Sequence, residues 1–200
     1  MNPAPYVSFL QQVLTPPRLE HSLGVMVVMG ELAEIYGLNK TQAMTAGLLH
    51  DAAKDLTPNQ LLTLAQEADL VATQPWETHP VYLHAPVGAY VAAKALGVTD
   101  QAVLDAIFTH SFGEGDNFNA TLSWCLRLAD ILAPVKQWPG MKKLAGLVYA
   151  GRLAEASLLQ CGWLLEYFAQ MDIPFHPHLI TTFETLAVEL NATPTFFERW

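Results

Sequence analysis

Side chains able to bind a metal are strung along this chain in a telling order: His21, the adjacent pair His50 and Asp51, then His84, His110 and Asp130. Each falls in or at the end of its own helix-like segment. A divalent cation held by nitrogen and carboxylate donors needs ligands that project inward from several helix ends, and this order supplies them. A lone His-Asp dipeptide occurs often by chance. Here it closes the apolar run Ala43-Met44-Thr45-Ala46-Gly47-Leu48-Leu49, with His21 upstream and Lys54 one helical turn beyond. Asp130 sits among Leu126, Leu128, Ile131 and Leu132, where an unpaired carboxylate would be costly and a metal or cation would compensate it. Imidazole and carboxylate donors suit iron, manganese or zinc. No cysteine stands at the spacing of a structural zinc site. Taken singly, His21, His84 and His110 read as partly buried histidines satisfied by the backbone; as an ordered set they point to a metal-dependent phosphohydrolase.

The charge balance narrows the substrate. The net charge of −9 argues against a nucleic-acid polymer, which requires a broad basic face. A small phosphorylated molecule is compatible with it, because a bound dication and a few placed cations make a locally positive pocket. Lys and Arg number only ten, so the positions of Arg18, Lys54, Lys136 and Arg152 carry weight. Arg152, near a helix start, reads as a solvated charge. Cys125 and Cys161 lie in apolar stretches and read as core residues rather than a disulfide framework.

The elements that must position these groups are helices nearly throughout. Leu19, Leu23, Val27, Leu32 and Ile35 recur at three- and four-residue spacing, and Gly37 is placed to end that helix in a left-handed conformation. Asn39 with Gln42, and Thr57 with Gln60, have the form of capping boxes. Further helices are expected from His84 to Gly97, Thr99 to Phe108, Ala120 to Leu132, Met141 to Ala150, Arg152 to Gln170 and Leu179 to Leu190. A polar loop spans Thr73–Pro80, a second spans Ser111–Asn119, and a proline-punctuated turn spans Ile173–Pro177. The expected class is all-α: one helical bundle with a 1–17 N-terminal helix, a core over 18–136 and C-terminal helices over 137–200 that complete it as an appendage. With 52% hydrophobic and 14% charged residues, extensive burial is expected. No apolar stretch reaches the ~18 residues that span a bilayer, and Met1-Asn2-Pro3-Ala4-Pro5 lacks the features of a secretory signal. A cytoplasmic location is the expectation.

Five segments together resemble a known family. They are Arg18-Leu19-Glu20-His21-Ser22-Leu23-Gly24-Val25, Gly47-Leu48-Leu49-His50-Asp51-Ala52-Ala53-Lys54, His84-Ala85-Pro86-Val87-Gly88-Ala89-Tyr90, Asp105-Ala106-Ile107-Phe108-Thr109-His110 and Ala129-Asp130. They resemble the HD-superfamily proteins of the YqeK type, bacterial symmetrical diadenosine tetraphosphate hydrolases. The third segment is far more diagnostic than His-Asp alone. The resemblance implies an all-helical HD fold, an iron cofactor and cleavage of a dinucleoside tetraphosphate to two ADP. It implies metal ligation by His21, His50, Asp51 and Asp130, and phosphate contacts from Arg18, Lys54, His84 and His110. It also implies a catalytic part for Asp51, His84 or His110, and brings Pro174 and Phe175 near the base or ribose. A homodimer fits both the resemblance and the apolar late helices. Whether His84 and His110 hold a second metal stays open, as does manganese or another divalent metal in place of iron.

This chain also departs from the family pattern. Lys136 stands where an arginine is usual, keeping charge but losing the bidentate fork. The loop after His110 is longer and lacks a Pro-Gly element, and Trp124 replaces a common lysine. Two rival readings follow: a phosphohydrolase of mononucleotides or deoxynucleoside triphosphates, and a nucleotide-binding sensor with slow turnover. His176 and His178 read as exposed loop residues, while Trp124, Trp138, Trp163 and Phe168 read as packing rather than base-stacking groups.

Overall fold

The computed structural model describes residues 2–70, 79–111, 119–133 and 140–192. Lys136, Trp76, Trp138 and most of the loop after His110 lie outside them. The described residues form ten α-helices and one 3-10 turn, with no strand. The helices are α1 (Ala4–Val13), α2 (Pro16–Ile35), α3 (Lys40–Leu49), α4 (Pro58–Glu67) and α5 (His84–Leu96). They continue as α6 (Gln101–Thr109), α7 (Thr121–Leu132), α8 (Met141–Tyr149), α9 (Leu153–Gln170) and α10 (Pro177–Glu189), with the 3-10 turn at Pro80–Leu83.

Local chemistry sets these boundaries. Thr15 is extended and Pro16 occupies the first turn of α2, where its missing N–H costs nothing. Beyond Tyr36, Gly37 takes φ +65°, so the chain turns and α3 folds back on α2. Gly47 makes that packing close: a Cβ there would lie 3.0 Å from the Met26 Cα and the Val25 carbonyl oxygen. Thr57 and Gln60 form the expected reciprocal cap. At Asn39 the expected box is only half formed. The Asn39 side chain accepts from Thr41 and Gln42 N–H groups, but the Gln42 amide reaches 2.8 Å to Asp100 instead. Asp100 also caps α6 through Ala102 and Val103, so one carboxylate fixes the start of α6 against α3.

One large core runs from Leu10 of α1 through Val25, Met29, Leu32, Leu48, Leu49, Ile107, Leu126 and Leu128 to Leu144, Val148 and Ala156. Truncating any one of these buried leucines to alanine should cost about 2–5 kcal/mol. A second cluster joins Trp124 of α7 to Cys161, Leu165, Phe168, Leu179 and Phe183, seating α10 on α9. A third packs α4 beneath Ala53, Leu83 and Val87. Cys125 and Cys161 are free and buried, and Trp124 and Phe168 pack in the core as expected. None of the described helices is long and apolar enough to cross a membrane.

Candidate metal centre

The site residues come from the ends and middles of five elements. His21 is buried in the second turn of α2. His50 is the residue at which α3 ends, and Asp51 and Lys54 follow in tight turns closed by Ala52 N–H to Leu49 and Lys54 N–H to Asp51. His84 begins α5, His110 ends α6, and Asp130 lies in the last turn of α7. Helix ends carry most of these groups because a side chain there can turn inward without breaking the ladder behind it.

Three of the histidines are anchored in the same way. The Nδ1 atoms of His50, His84 and His110 lie 2.8, 2.5 and 2.6 Å from the carbonyls of Gly47, Val81 and Ile107, each three residues back. A carbonyl only accepts, so each Nδ1 carries the proton and each Nε2 presents a lone pair. The Nε2 atoms of all three converge on Asp51, at 3.6, 3.4 and 3.6 Å from its carboxylate oxygens. Gly88 of His84-Ala85-Pro86-Val87-Gly88 packs close to this turn, and a Cβ there would lie at ordinary contact distance, 3.4 Å, from the His50 carbonyl oxygen.

Two overlapping donor groups result: His21, His50 and Asp130, and His50, Asp51 and His110. His21 Nε2 lies 2.8 Å from Asp130 Oδ1, and His50 Nε2 lies 3.8 Å from the same oxygen. Ligands around an ion at 2.0–2.2 Å stand roughly 3–3.5 Å apart, and these separations of 2.8 and 3.8 Å fall just either side of that range, so small side-chain shifts would seat a common cation. His50 Nε2 is fully buried and makes no hydrogen bond among the described residues, as suits an atom that donates its lone pair to a metal. Asp130 is less enclosed than its apolar neighbours in sequence suggest, with 27% of its side chain exposed.

The electrostatics favour the ligating protonation states. Burial pushes His50 down to about 4, against the opposing pull of Asp51 and Asp130. His84 is held well below the usual histidine range by burial and then by Lys54. Burial alone would raise Asp51, but His50, Lys54, His110 and His84 together outweigh it and keep the carboxylate ionised. Metals bind neutral imidazole and ionised carboxylate, so little deprotonation must accompany binding.

Two cations border the donors. Lys54 Nζ is 2.8 Å from His84 Nε2 and 3.7 Å from Asp51 Oδ1. Arg18 is 41% exposed and bridges Asp51 at 3.8 Å and Asp55 at 3.4 Å. Asp55 also accepts from the Thr15 N–H and hydroxyl at 2.8 and 2.9 Å, tying the start of α2 to the turn that carries Asp51. Sequence reasoning missed Asp55, because no spacing marks a carboxylate whose partner is a distant helix start. It also missed Arg127, a cation inside an apolar helix one turn before Asp130.

The remaining expectations divide. Pro174 and Phe175 are exposed in the turn between α9 and α10. His176 caps α10 by accepting the His178 N–H, which accounts for that histidine pair without a ligand. Arg152 pairs with Glu155 on the surface, as expected of a solvated charge. Lys136 falls outside the described residues.

Comparison with known proteins agrees with this geometry. The HD domain model matches residues 18–135, the span that carries every donor above. The symmetrical bis(5'-nucleosyl)-tetraphosphatase of Halalkalibacterium halodurans is 29% identical over 94% of this chain and 99% of its own length. That of Bacillus subtilis is 31% identical over 80% of this chain and 81% of its own. In the solved structures, a predicted HD superfamily hydrolase involved in NAD metabolism from Clostridium acetobutylicum superposes with a TM-score of 0.87 and 25% identity. That match covers 94% of this chain and 98% of the other. The chain belongs to the HD domain family and, within it, to the symmetrical bis(5'-nucleosyl)-tetraphosphatases.

Proposed function

We propose that this protein is a metal-dependent phosphohydrolase that cleaves diadenosine tetraphosphate symmetrically to two ADP. The observation that carries the reading is the pair of donor groups that share His50, one adding His21 and Asp130 and the other Asp51 and His110, beside two cations, Lys54 and Arg18. His21, His50, Asp51 and Asp130 would hold a divalent metal, which we assign as iron on the family resemblance, since imidazole and carboxylate donors suit manganese or zinc as well. When bound, the metal supplies an activated water as the nucleophile.

The chain's own residues do the rest. Asp51 would ligate the metal, and its two oxygens face different partners: Oδ2 faces His50 and Arg18, while Oδ1 faces Lys54, His84 and His110. Lys54 and Arg18 neutralise the phosphate chain and stabilise charge that builds up as the central bridging oxygen departs. Water adds to the phosphorus on one side of that oxygen, the P–O bond breaks, and the oxygen leaves with the other ADP.

Between the two remaining histidines, the hydrogen bonding supports His110 as the proton relay, its Nε2 lone pair taking a proton from the attacking water and giving it to the departing phosphate. The His84 lone pair already accepts from the Lys54 ammonium, and burial with Lys54 keeps that ring neutral. His84 therefore holds Lys54, and among the described residues His110 Nε2 has no ammonium hydrogen-bonded to it. Two buried free cysteines fit a reducing compartment, which supports the cytoplasm as the place of action.

The test is product chromatography with metal-loaded protein. Diadenosine tetraphosphate should yield two ADP and no AMP, ATP or free phosphate. Release of AMP with ATP, or turnover confined to mononucleotides, would replace this reading with another phosphohydrolase activity.

A further inference from the structure

Among the described residues, the largest fully buried side chain is a charged one. Arg127 is 2% exposed, in a helix whose neighbouring residues Cys125, Leu126, Leu128 and Ala129 are all buried. Burying a guanidinium costs several kcal/mol unless its surroundings compensate. Burial lowers its pKa to about 9, so it remains charged at neutral pH. None of the chemistry proposed above uses it.

Its surroundings point toward the site. The guanidinium carbon lies 3.8 Å over the ring of Trp124, one turn back on the same helix, which fixes the plane of the fork. Nη1 reaches 3.4 Å to the backbone carbonyl of Thr109. Thr109 is the last residue of α6, and His110 follows it directly. The last carbonyls of a helix have no partner within it and carry the negative end of its dipole, so a buried cation there satisfies both needs. Ile107, whose carbonyl anchors the His110 ring, belongs to the same final turn. On its own helix Arg127 stands three residues before Asp130, so one side chain joins the two helices that carry His110 and Asp130.

We infer that Arg127 is a positioning residue: by clamping the Thr109 carbonyl from a platform on Trp124, it sets where His110 stands relative to Asp51 and the reacting phosphate. This rests on the role proposed for His110. Arg127 itself touches no substrate. It acts through the last turn of α6, and its loss lets that turn and the His110 ring drift while the donors on α2 and α3 stay in place.

The experiment uses the full, metal-loaded chain with Arg127→Met and Arg127→Lys, each alone and combined with His110→Ala. Arg127→Met should lower kcat about tenfold or more with KM within about twofold, since small misplacements of a catalytic group have effects of this order. Arg127→Lys should recover part of the loss, because it keeps the charge but cannot cover Trp124 and reach Thr109 together. In the His110→Ala background, Arg127→Met should change kcat less than about twofold. An unchanged kcat, or an equal loss with and without His110, overturns the proposal. Should Arg127→Met not fold, Arg127→Lys carries the same cycle, with its partial loss vanishing once His110 is gone. Should the wild type not hydrolyse diadenosine tetraphosphate, the proposed function fails. Crystal structures of the wild type and Arg127→Lys then decide: a displaced His110 ring supports positioning, and an unmoved ring overturns it.

Discussion

His84 and His110 face each other through their Nε2 atoms at 3.3 Å, yet only His84 has the Lys54 ammonium on that nitrogen. The two rings look alike in sequence, each near a helix end. The lysine makes them different, because a lone pair already engaged by an ammonium resists a second proton. His110→Ala should therefore lower kcat more than His84→Ala, while His84→Ala should weaken substrate binding by releasing Lys54. Steady-state kinetics with both variants checks this; equal losses in kcat would remove the distinction.

Lys54→Ala should keep its full complement of metal and lose catalytic efficiency by about 1.5–3 kcal/mol, the range of a hydrogen bond to a charged group. Metal analysis beside kinetics separates the two effects. Metal loss equal to that of His50→Ala would make Lys54 part of the metal site instead.

Asp55→Ala should act on fold and site together. Losing the acceptor of the Thr15 N–H and hydroxyl should cost about 1 kcal/mol, as for other helix caps, or about 2–4 °C in Tm for a chain of this size. It also frees Arg18, so KM should rise. Asp55→Asn keeps an acceptor for Thr15 while giving up the charge beside Arg18. It should recover stability more than KM, and identical behaviour of the two variants in both measurements would argue against the double role.

Much of this was legible in the sequence, because the helix signals are local. Gly37, and Thr57 with Gln60, mark boundaries within a few residues of themselves, and the structure uses each of them. The candidate donors stood out because their order along the chain is distinctive, and the fold brings five of them into two groups that share His50. What the sequence could not carry were bonds between distant segments. Gln42 to Asp100, Thr15 to Asp55 and Arg127 to Thr109 each join segments whose packing must be known first. Asp130 misled in one respect: apolar neighbours along the chain place a side chain on a packed helix, but its own direction decides exposure.

Acid should weaken the metal-free protein before it reaches the carboxylate range. His50 titrates near 4 when folded and near 6.5 when unfolded, and the His84 shift has the same sign. Between those values the unfolded chain binds protons that the folded one does not, so stability rises with pH across the window and is lost as pH falls through it. Denaturant unfolding of chelated protein from pH 7 to 4 should show this slope, reduced in His50→Gln. A flat profile over that window would contradict the assigned burial of these rings.

Lys136 tests the chain's departure from its family's usual arginine. As a phosphate contact, Lys136→Ala should cost about 1.5–3 kcal/mol in catalytic efficiency. Lys136→Arg should preserve or improve it, since the fork grips two oxygens. No change in either variant would mark it as a solvated lysine.

The most direct test of the account pairs metal content with product identity, for wild type, His50→Ala and Asp51→Ala purified without chelators. The wild type should carry close to one equivalent of metal and convert each diadenosine tetraphosphate into two ADP. Both variants should keep most of their helix content by circular dichroism while losing metal and turnover together. Full turnover by either variant with the metal gone would contradict the central claim that this donor cluster drives the hydrolysis.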